Sequence, residues 1–78
     1  MTSKQFLEEL HLILGATPGT LTPESLLNDY SSWDSMGKMA AMTLIDSGVG
    51  VPVPSGLIDK CGTVGELIAF VAPHVKQL

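Results

Sequence analysis

The sequence predicts an all-α domain, a four-helix bundle with a short third helix and a long first loop. Three observations carry that reading. Apolar residues recur at helical spacing near both ends of the chain: Phe6, Leu10, Ile13 and Leu14 form one stripe, and Val64, Leu67, Ile68 and Val71 another. Each stripe opens on a pair spaced as a capping box, Thr2 with Gln5 and Thr63 with Glu66. Hydrophobic residues make up 45% of the chain, yet only four residues are aromatic: Phe6, Tyr30, Trp33 and Phe70. The core must therefore be built mostly from Leu, Ile, Val, Met and Ala, which suits short helices packed on one another. Residues 1–78 are expected to form one small domain that buries about 60% of its unfolded surface.

Taken in order, the first helix is capped by Thr2 or Ser3. Leu7 widens its stripe, Lys4, Glu8, Glu9 and His11 lie mostly off it, and Gly15 stops it. From Gly15 to Asp34 runs a connection rich in Gly, Pro, Thr, Ser and Asp. Thr22-Pro23-Glu24 reads as the start of one short helical turn, with Leu21, Leu26 and Leu27 as its anchors. A loop this long in so small a domain is often functional. Asp34 or Ser35 caps a second helix that runs to about Asp46 and is stopped by Ser47-Gly48-Val49-Gly50. Its inward stripe is Ala41, Leu44 and Ile45, with Met42 nearby. Val51-Pro52-Val53-Pro54 must be extended, because each proline disfavours helix in the residue before it. Ser55 to Cys61 reads as the short third helix, with Cys61 a small buried residue, and Pro73 ends or bends the fourth.

Composition excludes several functions. Eight acidic residues stand against four lysines and no arginine, a formal charge of −4. Nucleic-acid binding needs clustered cations, so no nucleic-acid partner is expected. The charge suits partners with basic patches, or solubility alone. A single cysteine, Cys61, rules out an intramolecular disulfide and does not suggest secretion. There is no apolar run of about 18 residues to span a membrane. Nor does a basic region precede an apolar run at the N-terminus, so the expected compartment is the cytoplasm. His11 and His74 have no Cys or carboxylate at ligand spacing and read as solvated surface residues, not metal ligands. The short ends, Met1-Thr2 and Gln77-Leu78, suit a free-standing protein, and a monomer is expected.

Trp33-Asp34-Ser35-Met36-Gly37 resembles the Asp-Ser-Leu signature of acyl carrier proteins, with Met in place of Leu. The surroundings agree. A leading helix precedes a long loop containing Leu27, Asp29 and Trp33, and the serine opens the second helix. Val51-Pro52 sits where that family commonly has Ile-Pro, and Thr63-Val64 opens the final helix. The resemblance covers nearly the whole chain. It implies a bundle of acyl-carrier type and a phosphopantetheine arm, taken from coenzyme A, attached to Ser35. The arm's terminal thiol, not Cys61, then holds an acyl group as a thioester, and the chain needs no catalytic group of its own. Asp34 helps present Ser35 as well as capping. The implied partners are a phosphopantetheinyl transferase, an acyl-loading ligase or acyltransferase, and a downstream synthase or transferase. A serine at a helix start suits the attachment, because unpaired N–H groups and the positive end of the helix dipole favour a phosphodiester there. The plain alternative for Ser35 is an ordinary N-cap. Ser31 and Ser32 precede the helix and read as loop residues.

Departures from the family sharpen the reading. Many similar carriers have a strongly acidic second helix that basic partners read. Here Met36 to Asp46 holds one cation, Lys38, and one acid, Asp46. Gly37 and Ala40 take positions often acidic in the family, and a glycine inside a helix costs about 1 kcal/mol relative to alanine. Met36, Met39 and Thr43, with Lys38, form a candidate partner-contact stripe, since Met adapts well at binding surfaces. This favours dedicated partners over a general fatty-acid role. For Met36 and Met39 the alternative is core packing. Ile45, Leu57 and Ile58 are candidate walls of an acyl cavity, or plain core, and Trp33 reads as a packed anchor or as a contact for the arm. Two rival functions remain. An aminoacyl or peptidyl carrier usually has glycines before the serine, where this chain has Ser32-Trp33-Asp34. An unmodified helical interaction module would use the Met stripe and leave Ser35 bare. A serine hydrolase is disfavoured, because Trp33 stands where the first glycine of a Gly-x-Ser-x-Gly elbow belongs and no strand can precede Ser35.

Overall fold

The computed structural model describes residues 1–17 and 19–76. These are mostly helical and contain no strand. The helices are α1 (Ser3–Leu14), α2 (Ser35–Thr43), α3 (Leu57–Lys60) and α4 (Val64–Val71). Gln77 and Leu78, on which the expectation of short ends partly rested, lie outside the described residues.

Both outer helices start as their sequences dictate. The Thr2 side chain accepts the Gln5 N–H at 3.1 Å, and the Gln5 side chain accepts the Thr2 N–H at 3.0 Å. α1 ends at Gly15, whose φ of 67° suits a residue without Cβ and turns its N–H back onto the carbonyls of His11 and Leu12. Phe6, Leu10 and Leu14 face the core, while Leu12 is exposed. Thr63 and Glu66 form the second box, and the Glu66 carboxylate also takes the Gly62 N–H. α4 buries Val64, Leu67 and Val71 and gives way to a tight turn at Ala72–His74, where Pro73 sits. The ends of the described chain lie together, with the Ser3 N–H donating to the Lys76 carbonyl at 2.7 Å.

Four expectations need correction. The short helical turn of the first loop is at Leu27–Asp29, not at Thr22-Pro23-Glu24. The cause is nonlocal: residues 23–27 pair with the start of α4. Gly65 donates to Pro23, Val64 to Ser25, and Leu27 to Gly62, at 2.9, 2.9 and 3.0 Å. That pairing drives Leu27 into the core and leaves Leu26, an expected anchor, 52% exposed.

The second correction concerns the end of the second helix. Regular α2 ends at Thr43, short of the expected Asp46, and the chain continues in a wider π-turn over Leu44–Val49 that ends at Gly50, the last residue of the expected stop Ser47-Gly48-Val49-Gly50. The N–H groups of Gly50 and Val51 both close onto the Ile45 carbonyl, and Gly50 ends the segment with φ 85°. Ala41 and Ile45 are buried as expected, Leu44 is partly buried, and Met42 is exposed. Third, α3 is shorter than Ser55 to Cys61, because Gly56 has φ 82° and cannot be helical.

Fourth, His11 is not simply solvated. Its Nδ1 donates to the Leu7 carbonyl at 2.7 Å, and its Nε2 accepts the Gly19 N–H at 3.1 Å, so the ring ties the first loop to α1. That arrangement requires the neutral tautomer protonated on Nδ1. No described helix is long and apolar enough to cross a membrane.

Candidate functional site

The most specific cluster in the sequence sits where the long loop meets α2. Trp33 is buried at 7% exposure, and its N–H closes a turn onto the Tyr30 carbonyl at 3.0 Å. It therefore packs as the anchor that fixes the loop's end. Asp34 follows in extended backbone and acts as the N-cap. Its Oδ1 accepts the Gly37 N–H at 3.0 Å, and its carbonyl accepts the Lys38 N–H at 2.9 Å. Ser35 is thus the first helical residue, exposed, and not the cap. The N–H groups of Ser35 and Met36 have no acceptor within the helix, so the positive end of the α2 dipole opens beside the Ser35 hydroxyl.

Gly37 has a role that its helix propensity does not reveal. It is buried, and a Cβ added there would overlap the carbonyl oxygen of Ser32. The loop crosses the first turn of α2 because that residue has no side chain. Sequence reasoning registered only the propensity cost of the glycine. The available signal was a glycine three residues after a cap, inside an otherwise regular helix.

A groove of about 240 Å³ runs from Ser35 between α2 and α3. Met39 and Met42 line it from the α2 side, and Pro54, Gly56 and Ile58 from the other. Lys38 and Asp59 also border it and join across it, with Nζ 3.1 Å from Oδ1. Of the candidate cavity residues, Ile58 lines the groove. Ile45 is wholly buried in the core and Leu57 is half-buried, and neither lines this groove. The candidate contact residues lie on the surface: Met36 is 79% exposed, Met39 is 66% exposed, and Thr43 is exposed. Core packing is therefore ruled out for Met36 and Met39. Pro54, Gly56 and Asp59 were not anticipated. Asp59 is 21 residues from its partner Lys38, and no local pattern reports such a pairing.

Cys61 is buried, and its thiol is pushed above the usual range by burial and then by the Glu66 charge. It stays protonated and is a poor nucleophile. Among the described residues no group of three or more His, Cys, Asp or Glu is arranged to hold a metal ion. Comparison with protein-family models, curated proteins and solved structures gives no match to this chain.

Proposed function

We propose that the chain is an acyl carrier protein, with a bundle of acyl-carrier type, that carries phosphopantetheine on Ser35 and works in the cytoplasm without catalytic activity of its own. The observation that carries this reading is the division of labour at the start of α2. Asp34 does the capping, so the plain explanation of Ser35 as an N-cap loses its force. What remains is an exposed hydroxyl at the positive end of a helix, on a segment fixed by Trp33, Asp34 and Gly37.

The residues present fit the phosphopantetheine group. The N–H groups of Ser35 and Met36 suit a phosphodiester anion. Lys38, one turn on, adds a cation, and the groove beyond Ser35 offers Met39, Met42 and Ile58 to an apolar chain. When attached, the arm supplies the thiol that bears the acyl group as a thioester. The chain's own residues hold and orient the attachment point. Partners that follow from this reading are a phosphopantetheinyl transferase, an acyl-loading ligase or acyltransferase, and a downstream synthase or transferase.

The test is intact-protein mass before and after incubation with coenzyme A and a broad-specificity phosphopantetheinyl transferase. The expected result is a gain of one phosphopantetheine group that Ser35→Ala abolishes. A folded chain that gains nothing, while a known carrier is modified in parallel, overturns the proposal. The second reading, an unmodified interaction module, is favoured by the exposure of Met36, Met39 and Met42 and would then lead.

A further inference from the structure

The groove beside Ser35 is spanned by a single described ion pair, and the cation of that pair belongs to the same helix turn as the serine. We infer that Lys38 is a latch: it pairs with Asp59 across the α2–α3 groove in the unmodified chain and moves to the phosphodiester once Ser35 is modified, opening the groove. The inference rests on the carrier reading above.

The argument is one of competition between two anions for one cation. Lys38 follows Ser35 by three residues, a spacing at which helical side chains are neighbours. Its present partner is held loosely. The Asp59 side chain is 73% exposed, the pair is screened by solvent, and Asp59 sits on a helix of only four residues. A phosphodiester on Ser35 is a strong acceptor tethered to the same helix, so its effective concentration at Lys38 is high. It also adds a negative charge beside Asp59 in the groove they share, which disfavours the original pair. The other acid near this turn, Asp34, is occupied at Oδ1 by the Gly37 N–H. Lys38 therefore has two accessible acceptors after modification, and the nearer one along the helix is the phosphodiester. Once Lys38 leaves, the rim loses its bridge between α2 and α3, and the buried Ile58 joins the already exposed Met39 and Met42 in facing whatever the arm carries.

The test is zero-length carbodiimide crosslinking with peptide mapping, which joins an amine to a carboxylate only when the two are in contact. The unmodified chain is expected to give a Lys38–Asp59 crosslink that Asp59→Asn removes. The modified chain, its state verified by intact mass, is expected to give that crosslink at a yield lower by about threefold or more, as for two exposed acceptors with one tethered. Equal yields in the two forms overturn the exchange. Opening is read from faster hydrogen exchange at the Lys60 and Cys61 amides, which close α3 onto Gly56 and Leu57 at 3.2 Å each. Unchanged exchange there overturns the opening. If intact mass shows that Ser35 is never modified, the carrier reading fails, and a Ser35→Glu arm still decides the exchange. Movement of the Lys38 crosslink from Asp59 to position 35 supports the latch, and its persistence at Asp59 overturns it.

Discussion

Replacing Gly37 with alanine should destabilise the fold, although the same change in an ordinary helix interior stabilises it. Propensity alone favours alanine by about 1 kcal/mol. Against this stands the position of the new Cβ, which would overlap the Ser32 carbonyl oxygen. That atom is backbone, in a segment held by the Trp33–Tyr30 hydrogen bond and the buried Trp33 ring, so it cannot swing aside as a side chain can. Overpacking of this kind costs about 1–3 kcal/mol, and a backbone obstacle argues for the upper end. The net expectation is a loss of about 2 kcal/mol, or about 8–16 °C in Tm for a domain of this size. Gly48→Ala is the control. There a Cβ meets only the ends of the Met1 and Leu44 side chains, at 3.0 and 3.2 Å, and these can turn away. Thermal and urea unfolding of both variants beside the parent chain checks the argument. A Gly37→Ala protein as stable as the parent, or no less stable than Gly48→Ala, would refute it.

Three further outcomes are expected. Thr63→Ala removes the acceptor of the Glu66 N–H and should cost about 1 kcal/mol, visible as a Tm lowered by about 4–8 °C; an unshifted melt counts against the capping role. The Cys61 thiol has its folded-state pKa raised, so the unfolded chain ionises first and stability should fall as pH climbs above about 8.5. Urea unfolding at neutral and alkaline pH should show that loss in the parent and not in Cys61→Ala, and equal losses would contradict it. Ile45→Ala empties a fully buried site and should cost about 2–5 kcal/mol, whereas Met36→Ala on the exposed stripe should stay within about 0.5 kcal/mol of the parent. Similar effects at the two positions would contradict the division between core and surface.

What could be read from the sequence was what its own neighbours determine. Thr2 with Gln5 and Thr63 with Glu66 are bonded within one turn, so spacing alone marks both helix starts. Gly15 and Gly50, with positive φ, close their helical segments for a reason local to each residue. The misread parts depend on distant partners. Nothing near Leu26 and Leu27 says which one goes inside; the pairing of residues 23–27 with Gly62, Val64 and Gly65 decides it. The π-turn past Thr43 follows from closure of Gly50 and Val51 onto Ile45, a register that helix propensity does not describe. At the candidate site the helix start at Asp34 and Ser35 was legible, but the side taken by the methionines was not: Met36 and Met39 fitted either surface or core, and Met42, set beside the inward stripe, is exposed. The groove was not, because Pro54, Gly56, Ile58 and Asp59 reach it from a segment that only the fold brings against α2.

The same geometry bears on how a partner would recognise the face around Ser35. Along α2, Ser35–Thr43 contains no acid, and its only cation, Lys38, is already paired with Asp59. A partner approaching along the helix therefore meets Met36 and Met39 rather than a field of charge. Association driven by burial of such side chains depends on apolar area and scarcely on ionic strength, whereas attraction between charged patches is screened within about 3 Å at 1 M salt. Under the carrier reading, transfer to a dedicated partner enzyme should survive high salt and be lost when Met36 or Met39 is replaced by a charged residue. Transfer that collapses with salt while tolerating those replacements would mean that recognition lies elsewhere, on the surface acids that give the chain its charge of −4.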